Sequence, residues 1–236
     1  MIQRVVITGA AQGMGAAIAR GFAAKGADLI LIDRDADGLS QIRAQTGGRA
    51  LTLTCDLSDA ARTEAAIVQF LPGPPIDTLI HNAAILRAEP IEAVSLAMFT
   101  ATVNVGLQAG FQLTKAVWPA MQQRGGALIF VTSQSGIKGF AGEAAYCAAK
   151  HGLEGFSKSL ALEGAAHGIV SCTITPGKAM RTPMSERNYT PEAKTQWVEP
   201  DLLAAAFVHI SESRDPALNG QRLNAWEMSE ISRNKQ

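Results

Sequence analysis

Short runs of β-branched and aliphatic residues alternate along the chain with longer Ala-rich stretches whose apolar positions recur at helical spacing. That alternation marks repeated strand–helix–strand units. Strands are predicted at 4–8, 28–33, 50–55, 77–82, 127–132, 169–175 and 221–225, and helices at 15–25, 37–45, 60–70, 96–123, 144–167 and 200–210. Strands with no polar face imply a parallel sheet covered on both sides. The expected fold is therefore α/β, a doubly wound three-layer sandwich with about seven strands. Gly47-Gly48, Pro72-Gly73-Pro74-Pro75 and Gly125-Gly126 fall between helical and strand-like segments and read as short connections. One domain over 1–236 is expected. Its exception is 178–198, polar, interrupted by prolines and long for a connection, which reads as a lid or substrate loop.

Glycines concentrate where the first strand would meet the first helix, in Thr8-Gly9-Ala10-Ala11-Gln12-Gly13-Met14-Gly15. At such a junction the chain turns tightly, backbone must approach a diphosphate, and the helix N-terminus offers unpaired N–H groups. The spacing is G-x-x-x-G-x-G rather than the commoner G-x-G-x-x-G. Asp33 closes the second strand, where a carboxylate can accept hydrogen bonds from both hydroxyls of an adenosine ribose. NAD is thus expected over NADP, since Gln12 supplies no cation to offset the repulsion of a 2′-phosphate; Arg34 is the complication. Asp56-Leu57 follows the third strand and could reach an adenine ring, or serve a helix cap near Ser58 and Asp59.

Composition narrows the classes. With 236 residues, 47% of them hydrophobic, the chain can bury a sizeable core. Its 21 basic residues balance 21 acidic ones, so it lacks the charge surplus of a general nucleic-acid binder. No apolar stretch approaches the roughly 20 residues of a membrane span and no leader pattern opens the chain, so a cytoplasmic protein is expected. Cys55, Cys147 and Cys172 suggest no disulfide framework, and the four histidines show no metal-ligand spacing.

A second chemical signal is Tyr146-Cys147-Ala148-Ala149-Lys150, which puts a phenol and an ammonium group on one helix face. Ser133 lies at the end of the fifth strand, among the strand ends that line a ligand crevice in such sheets. Together with the glycine turn, Asn82-Ala83-Ala84, Asn104 and Pro176-Gly177, these residues make the chain resemble the short-chain dehydrogenases/reductases over nearly its whole length. The resemblance implies a Rossmann-type fold and hydride transfer between a nicotinamide and an alcohol or carbonyl carbon. It makes Tyr146 the general acid/base, puts Ser133 on the substrate oxygen, and lets Lys150 bind the nicotinamide ribose while lowering the tyrosine pKa. Asn104 would hold a water in a proton relay. A homodimer or homotetramer is also implied.

Free tyrosine titrates near ~10, so working at pH 7 to 8 asks for roughly 3 kcal/mol of differential stabilisation, for which a neighbouring cation has the right sign. Where this chain departs from the family, His81 and Ala84 replace the usual Asn and Gly. One extra residue separates Pro176-Gly177 from Thr182, which puts that threonine's carboxamide contact in question. Asn224-Ala225-Trp226-Glu227 stands in place of Asp-Gly-Gly. Substrate-pocket candidates are Ile85, Gln134, Phe140, Glu143, Met180, Met184 and Trp197. An NADPH-dependent ketoreductase and a non-catalytic dinucleotide sensor are the competing readings; no metal is expected.

Overall fold

The structure is a computed structural model that describes residues 3–190 and 192–233. Seven strands form one sheet: β1 (Arg4–Thr8), β2 (Asp28–Asp33), β3 (Leu51–Thr54), β4 (Thr78–His81), β5 (Gly126–Val131), β6 (Ile169–Thr175) and β7 (Arg222–Asn224). They lie in the order β3-β2-β1-β4-β5-β6-β7, and every neighbouring pair is parallel. Strand order reverses at β1 and β4, so their C-terminal ends flank the crevice where doubly wound sheets bind ligands.

The period-two alternation within each strand divides the core. Val5, Ile7, Leu29, Leu31, Ile129 and Ile174 point to one face, against α1 (Gly13–Ala24), α2 (Ala36–Gln45) and α8 (Ala204–Ser213). Val6, Ile30, Ile32, Leu79, Leu128 and Phe130 point to the other, against α3 (Ala60–Phe70), α5 (Ala109–Arg124) and α6 (Ala144–Gly164). Both faces are apolar because both are covered.

The helix expected at 96–123 is broken. A π-helical turn, Asn104–Gln108, separates α4 (Leu96–Val103) from α5. It is wedged between β4 and α6: a Cβ at Gly106 would lie 2.9 Å from Ala149 Cβ, and one at Gly110 would lie 3.0 Å from the His81 ring. Such insertions occur as single turns inside α-helices, frequently at functional sites.

The described residues of the segment 178–198 form a strap. It holds α7 (Pro183–Asn188), capped by Thr182, and its ends meet at a parallel bridge between Met180 and Val198. Asn188 Nδ2 ties it to Leu86 O at 3.2 Å, in the loop after β4.

The last strand stops one residue short of its expected end, and α9 (Ala225–Arg233) follows. Asn224 Oδ1 accepts from the N–H groups of Trp226 (3.1 Å) and Glu227 (3.4 Å), while its amide donates to Glu227 Oε1 at 2.7 Å. The replacement for Asp-Gly-Gly is therefore a helix start. Asn224→Ala should lower the unfolding free energy by about 1 kcal/mol, read from urea denaturation; an unchanged midpoint would contradict the cap.

Candidate active site

The glycine turn is braced from β4. Thr8 Oγ1 accepts from the backbone N–H groups of Asn82 and Ala83, each at 3.0 Å, and the Asn82 amide donates to Thr8 O and Gly9 O, each at 3.1 Å. Gly9 and Gly13 have φ of 64° and 56°, in the left-handed region. At Gly15 a Cβ would stand 2.0 Å from Gly9 O. Helix α1 begins here with Gln12 at its N-cap, no capping side chain and no acidic residue in its first turn. An uncapped helix start behind bare glycines is suited to an anion, so these residues fit the diphosphate of a dinucleotide.

Asp33 stands beside this cradle. Its carboxylate accepts from Ala11 N at 3.0 Å and Asp35 N at 3.1 Å, which fixes its orientation. Arg34 is exposed. Asp56 accepts from Ser58 N at 3.0 Å; that bond, with smaller help from Arg34, holds its carboxyl below the usual range. Asp59 rather than Asp56 caps α3, and Leu57 is buried. Gly177 has φ 78° and a Cβ there would meet Asn224 Oδ1, while Pro176 O accepts from Trp226 N at 3.1 Å. Thr182 is buried against Gly13, and its hydroxyl is engaged by Ser185 N (3.1 Å) and Ser185 Oγ (2.9 Å). The strap thus rests on the glycine turn.

The expected chemical groups converge across β5 and α6. Ser133 Oγ accepts from Ser135 N at 2.8 Å and is hydrogen-bonded to Tyr146. Lys150 is buried, donates from Nζ to Val131 O at 2.7 Å, and lies 5.4 Å from the centroid of the Tyr146 ring. Asn104 sits in the π-helical turn packed on Ala149, and its amide donates to Ser58 O at 2.9 Å.

Burial shifts both groups toward their neutral forms. Burial draws the Lys150 ammonium down to about 8, with Glu154 opposing. The Tyr146 phenol is not lowered. Burial, then Tyr189 and Glu143, push it above its ordinary value, against the hydrogen bond from Ser133. His81, wholly buried and 3.1 Å from Thr8 Oγ1, is driven down to about 3 by burial and by the charge of Lys150, and is neutral.

A small cleft beside Tyr146 is lined by Ile85, Arg87, Val94, Met98, Thr102, Gly142 and Ala145. Of the pocket candidates, Ile85 alone lines it. Glu143 stands next to it, facing Tyr146 and Tyr189 and accepting from Ser135 Oγ at 2.7 Å. Met184 is half-buried in α7, whereas Gln134 and Phe140 are exposed. Met180 packs on the core, and Trp197 lies 5.5 Å under the Lys194 ammonium. Met98, Thr102 and Tyr189 were missed by sequence reasoning. The first two share a face of α4 at i, i+4 directly before Asn104, which was the available signal.

The family model of the short chain dehydrogenases matches residues 3–193. The chain belongs to this family. It is similar to the D-threitol dehydrogenase of Mycolicibacterium smegmatis, 33% identical over 92% of this chain and 89% of that one. It also resembles the galactitol 2-dehydrogenase of Agrobacterium fabrum, 34% identical over 61% of this chain and 57% of that one. Among solved structures, a variant of actinorhodin polyketide ketoreductase with NADPH superposes with a TM-score of 0.85 at 26% identity, covering 94% of this chain and 95% of that one. This short-chain dehydrogenase is accordingly an NAD(P)-dependent oxidoreductase of CH–OH and C=O groups.

Two consequences are testable in this dehydrogenase. Gly15→Ala should weaken NADH binding at least about tenfold in a fluorescence titration while circular dichroism is unchanged, because the turn must open to admit the methyl group; parental affinity would contradict the cradle. Lys150 is held below its ordinary pKa of 10.5, at about 8, so between those values the unfolded chain binds more protons and stability rises with pH. Lys150→Met should therefore be more stable than the parent at pH 7, by about 3 kcal/mol, with the gap closing as pH climbs past 8. A variant less stable at pH 7 would contradict a costly buried charge.

Proposed function

We propose that this chain oxidises a secondary hydroxyl of a small polyol with NAD, or reduces the corresponding ketone with NADH. The observation that carries the cofactor choice is the Asp33 carboxylate, pinned by two backbone N–H groups beside the glycine turn and facing where a ribose would lie. Gly9, Gln12, Gly13, Met14 and Gly15 would hold the diphosphate. Asp33 would hold the ribose, with Asp56 and Leu57 near the adenine. Asn82, Ala83, Ala84, Pro176, Gly177 and Thr182 would border the remainder. The bound dinucleotide supplies the hydride acceptor or donor at its nicotinamide ring.

The protein's own groups manage the proton. Ser133 donates a hydrogen bond to the substrate oxygen, where charge develops. Tyr146 takes the hydroxyl proton in oxidation and returns it in reduction. Lys150 holds the nicotinamide ribose and stabilises the phenolate through space, and Asn104, fixed on Ser58 O, supports the relay of that proton to solvent. Glu143 and Tyr189, polar and beside Tyr146, suit a substrate with a second hydroxyl, and the likeness to D-threitol dehydrogenase supports the same class.

The reading includes a single domain with 178–198 as a lid over the cleft. It also includes a homodimer or homotetramer, supported by large apolar side chains left on α5 and α6: Phe111 is 50% exposed and Leu162 83%. No helix among the described residues is long and apolar enough to cross a membrane, and the free thiols of Cys55, Cys147 and Cys172 suit the cytoplasm. A second reading, an NADPH-dependent ketoreductase, draws on the exposed Arg34 next to Asp33 and on the likeness to a ketoreductase solved with NADPH.

Tyr146→Phe should cut kcat on a C4 polyol by about a thousandfold while NADH affinity stays within about twofold. Parental turnover would remove the acid/base assignment. NADH should bind at least about tenfold tighter than NADPH, and the reverse preference would replace the NAD reading with the NADPH one.

A further inference from the structure

One partly buried ion pair serves none of the roles above. Glu154 lies one helical turn beyond Lys150 on α6, its side chain 8% exposed. Glu154 Oε2 accepts from Thr173 Oγ1 on β6 at 2.8 Å, and Oε1 accepts from Arg222 Nε on β7 at 3.1 Å. Arg222 then donates from Nη2 to the backbone oxygen of Ser133 at 3.0 Å. Gly136 leaves room for this path, since a Cβ there would stand 2.5 Å from Thr132 Oγ1 and 3.2 Å from Glu154 Oε1. An inward arginine on a three-residue edge strand is costly, and a buried pair of this kind contributes little net stability compared with apolar packing. Its geometry has another consequence. Both ends of the pair finish on the reacting constellation, one beside Lys150 and one on the main chain of Ser133.

We propose that Glu154 and Arg222 form a charged clamp that positions Ser133 and Lys150 for proton and hydride transfer. The clamp rests on the assignment of Ser133, Tyr146 and Lys150 made above. Neither residue touches substrate: Arg222 holds the Ser133 carbonyl and so the turn that aims its hydroxyl, and Glu154 sets the charge balance around Lys150. The groups facing that ammonium are Tyr146 and Glu154 on its own helix, the Val131 carbonyl on β5 and neutral His81 on β4. Arg222 on β7 acts through Glu154. Among the described residues, Glu154 is the carboxylate that favours the charged lysine. Neutralising it should let Lys150 lose its proton at lower pH. Removing Arg222 leaves the Glu154 charge unopposed and should retain the lysine proton to higher pH.

The test is the pH dependence of kcat/KM for ketone reduction, in which activity falls on the alkaline side as Lys150 and Tyr146 deprotonate. Glu154→Gln should move that alkaline limb down by at least about half a pH unit, and Arg222→Met should move it up. Both should lower kcat about tenfold with KM within about threefold, and NADH affinity by fluorescence should stay near the parent's. Arg222→Lys, which keeps the charge, should return the limb to its parental position. Limbs that stay put in active variants, or that shift in the same direction, would overturn the clamp. If Arg222→Met does not fold, the isosteric Glu154→Gln and the charge-conserving Arg222→Lys decide the matter. An active Tyr146→Phe enzyme would instead overturn the site assignment, so the two failures are distinguishable.

Discussion

A positive charge kept inside the protein organises this site. Removing an ammonium group from water costs several kcal/mol unless its environment compensates. Lys150 meets the Val131 carbonyl at 2.7 Å and the face of Tyr146, and the Glu154 carboxylate one turn along favours its charge through space. Those partners constrain the fold around them. Strand β5 must end where its carbonyl can reach the helix, and α6 must cross that end closely enough that Gly106 and Gly136 carry no side chain. His81 must be neutral, because a second cation beside the first would have nothing to balance it.

Two kinds of construction meet at the crevice between β1 and β4. On the cradle side, precision comes from absence: Gly9, Gly13 and Gly15 open the backbone, and the Thr8 and Asn82 bonds keep it open. On the catalytic side it comes from charge and burial. The same burial that draws Lys150 down pushes the Tyr146 phenol up, so at rest the proton stays on the tyrosine. Lysine alone does not overcome that. An oxidised nicotinamide would bring a second positive charge to the ring, favouring the phenolate and tying acid/base action to cofactor binding.

Much of this was legible in the sequence. The strands Arg4–Thr8, Asp28–Asp33 and Ile169–Thr175 match their expected limits to the residue, because each is an apolar run bounded by a glycine, a proline or a charged residue. The glycine turn, Asp33, Ser133, Tyr146 and Lys150 were legible because local spacing carries their chemistry. Other features depend on long-range contacts. The π-helical turn at Asn104 falls inside one long helical run, and α9 hangs on one asparagine cap. Glu154 and Arg222 are 68 positions apart, and each looks like a solvated surface charge until the sheet brings them to 3.1 Å. Spacing reveals the cation neighbouring Tyr146 but not the burial that opposes it.

The chain has two tyrosines, Tyr146 and Tyr189. A sample labelled with 13C at the tyrosine Cζ therefore yields two NMR resonances, assigned by loss of one in Tyr146→Phe. In the protein alone, burial should keep both phenols protonated to about pH 10 and beyond. With saturating NAD, the Tyr146 resonance should titrate between about pH 7 and 9 while Tyr189 does not follow. A Tyr146 signal that NAD leaves unmoved, still protonated at pH 10, would contradict the claim that charge beside this phenol makes it the acid/base of the reaction.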